Sequence, residues 1–202
     1  MASSRIKVRA RGLVHPVARF IADLGIPPTA ITVAGLGLAA LSGLSIGRGH
    51  FLGGGILLIV SGLCDMIDGA SAREGGRTSR IGAFLDSTVD RYSEVVVLLG
   101  ALVYYLARSP GGPEVLTAAM VFLALAGSFL VSYTRARAEA VGESCEIGLA
   151  ERPERLVILI VGALLGATVF RIAIWAVVIL AHFTAIQRIR YVLSKLRGSD
   201  GA

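Results

Sequence analysis

The sequence predicts an all-α integral membrane protein: six transmembrane helices preceded by an N-terminal amphipathic juxtamembrane helix. Three observations carry that reading. More than half the chain is hydrophobic, 54%, and only 17% is charged. The mean hydropathy of +0.73 is far above that of an ordinary soluble domain. The apolar residues also come in continuous runs rather than in strict alternation, which favours helices over a strand barrel.

The first element is expected over residues 5–24. Leu13, Val17, Phe20, Ile21 and Leu24 share one helical face, while Arg5, Lys7, Arg9, Arg11 and Arg19 supply charge. Such a helix lies at an anionic membrane surface. Pro16 marks its first turn or a kink, and His15 is read as a solvated surface residue. Gly25 and the pair Pro27–Pro28 end it. The first long apolar run starts only after about 28 residues and has no cleavage-like end, so no secretory leader is expected.

Six apolar segments follow, at 29–48, 51–73, 81–107, 114–135, 155–170 and 172–192. Each approaches the roughly 20 residues that cross about 30 Å of hydrocarbon. The fifth is the shortest. The expected organisation is therefore a juxtamembrane segment (1–27), a six-helix membrane domain (28–197) and a short tail (198–202). With the N-terminus in the cytoplasm, 17 of the 20 Lys and Arg residues fall inside; Arg48, Arg108 and Arg171 fall outside. That bias places both termini in the cytoplasm of a multi-pass protein of the cell membrane. The net charge of +6 is spread between apolar segments without aromatic interleaving, so nucleic acid is not an expected partner. Cys64 and Cys145 form neither a disulfide framework nor a C-x-x-C pair. Gly43 with Gly47, and Gly162 with Gly166, are G-x-x-x-G pairs suited to helix packing within one chain.

The stretch DMIDGASAREGGRTSRIGAFLDSTVD, residues 65–90, interrupts this apolar pattern with four aspartates. Asp65 and Asp68 are three apart on the second span; Asp86 and Asp90 are four apart on the third. Each pair shares a helix face. The short intervening loop makes the two spans antiparallel neighbours, so all four carboxylates can enter one gap. Gly69, Ala70, Ser71 and Ala72, facing Gly82 and Ala83, leave room there for a ligand or for close backbone approach. A lone Asp at a helix centre costs roughly 2.5–3.5 kcal/mol on insertion scales, so cations must offset the cluster. Arg73, Arg77, Arg80 and Arg91 could neutralise it as a structural ion-pair network. An oxygen-only site without His or Cys instead suits Mg²⁺ or Mn²⁺. Two such ions on a diphosphate, with one carboxylate left to take a proton, is a known arrangement for phosphoryl transfer. Ion or proton passage is a third reading, disfavoured because the carboxylates bunch at one membrane face.

The pattern Asp65-x-x-Asp68-Gly69-x-x-Ala72-Arg73-x8-Gly82-x3-Asp86-x3-Asp90 resembles the complete signature of the CDP-alcohol phosphotransferase family. The resemblance implies that Asp65, Asp68 and Asp86 hold one or two Mg²⁺ ions. Asp90 is then the general base toward the acceptor hydroxyl and also reaches the second metal. Asp68, Gly69, Ala72, Arg73 and Gly82 are implied to cradle the CDP group. Pro28 and Thr32 correspond to a P-N-x-x-T stretch near the nucleotide, with Thr29 in place of Asn. Bare of the family, Pro28 reads as a helix start. The resemblance also implies a CDP-lipid donor, membrane lipid around the chain, and a homodimer.

A cluster of arginines follows at Arg135, Arg137, Arg152 and Arg155, with Arg188 later in the chain. Guanidinium forks suit a phosphate dianion, and anionic headgroups would account for them equally well. The stretches SYTRARAE and ERPER and the later QR resemble those of bacterial phosphatidylinositol-phosphate synthases, a subgroup that takes inositol 1-phosphate. In that subgroup the cations at the positions of Arg135, Arg155 and Arg188 hold the acceptor phosphate, often with Lys at the first. The expected reaction is transfer of a lipid phosphate from a CDP-diacylglycerol-type donor to inositol 1-phosphate, releasing CMP. Glycerol 3-phosphate is the alternative phosphorylated acceptor, and an ion-conducting protein is the alternative outside enzymes.

Overall fold

The computed structural model describes residues 15–21, 23–74, 76, 78–108 and 114–199. Among these residues the chain is all-helical, with no strand. The charged residues of the expected juxtamembrane helix from Arg5 to Arg11, and Leu13, lie outside the described part. Residues 15–21 are helical, with Val17 and Phe20 exposed and Ala18 buried. His15 contacts Glu74 at 2.8 Å.

Six longer helices follow: α1 (Pro28–Gly47), α2 (Phe51–Glu74), α3 (Arg80–Arg108), α4 (Glu114–Ala140), α5 (Arg152–Leu164) and α6 (Ala167–Ser199). Pro28 opens α1 and Pro153 lies in the first turn of α5, where a missing N–H costs nothing. Four of the six, α1, α2, α4 and α6, are long and apolar enough to cross a membrane. The other two depart from the expected segments for identifiable reasons. With 29 residues α3 has the length, but its first half carries Asp86, Asp90, Arg91 and Glu94. The apolar run over 155–170 is not one helix: α5 stops at Leu164 after 13 residues, about 20 Å. Gly166 then takes φ 97°, a left-handed conformation that breaks the helix, and residues 167–170 belong to α6.

Helix α1 packs along both α2 and α3; α4 packs on α3 and α6; α5 bridges α2 and α6. The α1–α3 crossing is a backbone contact. A Cβ at Gly43 would collide with the Val96 carbonyl, and one at Gly100 with the carbonyl of Gly43. The first G-x-x-x-G pair thus works inside the chain, Gly47 also abutting Gly100; of the second pair only Gly162 packs, against Phe170 and Ala173, while Gly166 faces open space. Two buried hydroxyls tie α1 to α2, Ser42 donating to the Gly54 carbonyl at 2.7 Å and Ser61 to that of Gly35 at 2.8 Å. An aromatic cluster of Phe51, Tyr104 and Phe170 fills the end of the bundle remote from the aspartates. Phe51 meets Tyr104 edge-on, with ring centroids 4.7 Å apart. The two rings touch directly, and α1, packed along both helices, holds α2 and α3 on either side of the aspartates.

Candidate active site

Only residues 75–79 separate α2 from α3, so the end of one helix and the start of the other form the walls of a single cleft. Ser79 caps α3, its Oγ accepting from the Gly82 N–H at 3.0 Å. The helical spacing puts Asp65 and Asp68 on the wall facing Asp86. One carboxylate oxygen from each of these three lies within 4.8 Å of the others. Asp68 is buried, and its Oδ2 accepts a 2.6 Å hydrogen bond from Thr32 Oγ1 on α1. The Asp86 Oδ1 is buried without a hydrogen-bond partner. Converging carboxylate oxygens, with an unsatisfied oxygen on one of the three residues, fit a hard divalent cation with oxygen ligands.

Next to the three carboxylates opens a cleft of about 210 Å³, lined by residues of α1, α2 and α3. All seven residues expected to contact the nucleotide line it: Pro28, Thr32, Asp68, Gly69, Ala72, Arg73 and Gly82. A Cβ added at Gly69 would meet only the Arg73 guanidinium, at 3.5 Å, and one at Gly82 only Ser79 Oγ, at 3.1 Å. Neither glycine is demanded by helix packing. Both leave space beside the carboxylates.

Asp90 sits apart from that trio of oxygens, one turn further along α3. Its Oδ1 forms an ion pair with Arg152 Nη2 at 2.6 Å, while Arg152 Nη1 donates to Asp65 Oδ2, also at 2.6 Å. Arg91 approaches the other Asp90 oxygen at 3.7 Å and hydrogen-bonds Ser132 Oγ on α4.

These features coincide with a family. The family model for CDP-alcohol phosphatidyltransferases matches residues 26–187. The chain belongs to that family.

As a CDP-alcohol phosphatidyltransferase it is a membrane transferase of phospholipid synthesis with a metal-binding aspartate cluster. Membership sets aside both the ion-conducting reading and a purely structural ion-pair network. The chain is 35% identical over 187 residues to archaetidylinositol phosphate synthase of Pyrococcus horikoshii, covering 92% of this chain and 94% of that one. It is 36% identical over 187 residues to phosphatidylinositol phosphate synthase of Corynebacterium glutamicum, covering 89% and 84%. Among solved structures, it resembles Mycobacterium tuberculosis phosphatidylinositol phosphate synthase with CDP-DAG bound. The TM-score there is 0.79 at 31% identity, over 89% of this chain and 92% of that one. The same mycobacterial protein in complex with manganese and citrate aligns with a TM-score of 0.79 over 89% and 88% of the two chains, again at 31% identity.

The three arginines expected to hold an acceptor phosphate in this transferase are placed differently from one another. Arg155 is 1% exposed; its Nε and Nη2 fork onto Glu94 at 2.9 and 3.1 Å, and its Nη1 donates to the Ala150 carbonyl. Arg188 is likewise buried, donating to the carbonyls of Ile147 and Val131 at 2.7 Å each and to Glu151. Arg135 is exposed and pairs with Glu139 one turn along α4. Sequence reasoning missed two members of the site. Glu94 continues the Asp86–Asp90 spacing by one more turn, a signal present in the sequence. Arg152 stood among the cluster of basic residues, and nothing local distinguished it from Arg137 or Arg155.

Proposed function

We propose that this transferase moves a phosphatidyl group, or its ether-lipid counterpart, from a CDP-diacylglycerol-type donor to a hydroxyl of inositol 1-phosphate, with CMP released. The observation that carries the reading is the convergence of Asp65, Asp68 and Asp86 beside one cleft lined by all seven residues expected at the nucleotide. Relatives named for inositol-phosphate products, over nine-tenths of this chain, support the choice of acceptor. Six spans are proposed, α3 and α5 completing the four apolar helices, with the termini and the site at the cytoplasmic face of the cell membrane. The chain is proposed to work as a homodimer.

Two Mg²⁺ ions, replaceable by Mn²⁺, are proposed at Asp65, Asp68, Asp86 and Asp90; when bound they supply counter-charge to the diphosphate and to departing CMP. Pro28, Thr32, Gly69, Ala72, Arg73 and Gly82 surround the nucleotide, and Thr32 fixes the rotamer of Asp68. Asp90 takes the proton of the attacking hydroxyl. The donor's acyl or ether chains stay among the lipids, and the polar acceptor enters from the aqueous side. Arg135, Arg155 and Arg188 are assigned to the acceptor-phosphate side of the site, Arg155 and Arg188 within the buried network that shapes it.

The test is release of CMP by purified protein with CDP-diacylglycerol and Mg²⁺, offered inositol 1-phosphate or glycerol 3-phosphate. Faster release with inositol 1-phosphate is expected. A clear preference for glycerol 3-phosphate would overturn the acceptor assignment and leave the reaction class standing.

A further inference from the structure

The four site aspartates are served by counter-charge unequally. On one side, Asp65, Asp68 and Asp86 bring oxygens together, and Asp86 Oδ1 is buried with no partner. On the other side, between Asp65 and Asp90, a cation is already in place. The Arg152 guanidinium reaches from the first residue of α5 and gives one nitrogen to each carboxylate at 2.6 Å. Its side chain is 21% exposed, those of Asp65 and Asp90 29% and 14%. A planar guanidinium that joins carboxylates on two different helices is a positive charge held between Asp65 and Asp90.

We propose that Arg152 is the built-in substitute for the second cation: it neutralises Asp65 and Asp90 when one divalent ion is bound, and a second ion must displace it. The inference rests on the reading that these carboxylates hold divalent ions. The physical reason is electrostatic. Leaving Asp65 and Asp90 partly buried and unpaired is costly, so a guanidinium stabilises the site before loading. The same guanidinium repels a dication directed at the oxygens it holds. Arg152 is thus a positioning residue that sets the order of ion loading. The Asp65–Asp68–Asp86 side fills first, and the Asp65–Asp90 side fills only when Arg152 lets go.

The test is a Mn²⁺ titration of the purified full-length protein in detergent, with free ion read by electron paramagnetic resonance. Wild type is expected to bind one Mn²⁺ tightly and a second weakly. In Arg152→Gln the second ion is expected to bind about tenfold more tightly or better, in line with removal of a neighbouring charge in a partly buried site. Arg152→Lys, whose single ammonium cannot fork across both carboxylates, is expected to fall between the two. If the Gln variant does not fold, the comparison of Lys with wild type carries the test. Metal-free Arg152→Gln should also melt below wild type and gain more in Tm on Mn²⁺ addition. Weaker binding of the first ion in Arg152→Gln, or a second site unchanged in affinity, would overturn the proposal while leaving the metal reading intact. A wild type that binds no Mn²⁺ would overturn both.

Discussion

Glycine does opposite work at two places on α3. At Gly100, facing Gly43 of α1, its lack of a side chain brings two backbones into contact, and an added Cβ has nowhere to go. At Gly82, facing Gly69 of α2, the absent side chains leave a cleft that no protein atom fills. One pair closes the bundle; the other keeps it open beside the aspartates. Glycine in a membrane helix therefore indicates close packing or ligand space according to what lies opposite, and here the carboxylates decide which.

The largest expected effect tests the open region alone. Asp90→Asn should cut turnover by about 10²- to 10⁴-fold, the usual weight of a general base, with thermal unfolding near that of wild type. Unchanged CMP release would remove Asp90 from the base role. Next, Gly43→Leu should destabilise the closed region by about 1–3 kcal/mol or prevent folding, because the α1–α3 backbones cannot separate without losing the seam. Gel-filtration profile and Tm in detergent report this. Gly69→Leu should behave in the opposite way: Tm unchanged or higher, since leucine is a better helix former by up to about 1 kcal/mol, and a raised KM for the CDP-lipid. If Gly69→Leu unfolds the protein or leaves KM untouched, the contrast between the two glycine pairs fails. A last variant, Thr32→Val, removes the 2.6 Å hydrogen bond to Asp68. A loss of about 1.5–3 kcal/mol, expected for a hydrogen bond to a charged group, should appear as weaker metal or donor binding with the fold retained.

The open region was the more legible of the two in sequence. Spacings of three and four residues put the aspartates on shared faces by local geometry alone, and the short link brought the faces together. The residues expected at the nucleotide came from the signature and from the Pro28–Thr32 stretch, and all of them line the cleft. Legibility ended where structure depends on distant partners. The boundary at Gly166 was misplaced to Arg171 because the hydropathy pattern breaks at the charge and does not register a single left-handed residue. The fork of Arg152 needs α5 to start at that residue and to lie against α2 within side-chain reach of α3, which no local pattern specifies. The seam was visible as G-x-x-x-G on α1, but its partner Gly100, 57 positions from Gly43, was not.

The connection between α4 and α5 is fastened by three buried polar side chains. Arg155 holds the Ala150 carbonyl, Arg188 that of Ile147, and Thr184 accepts from the Ala150 N–H at 3.1 Å. Alanine scanning across this region will therefore register loop collapse and lost substrate contact as the same drop in activity. Variants that keep the loop's anchors, such as Arg155→Lys, measured with thermal unfolding and substrate saturation side by side, separate an architectural arginine from one that meets the acceptor.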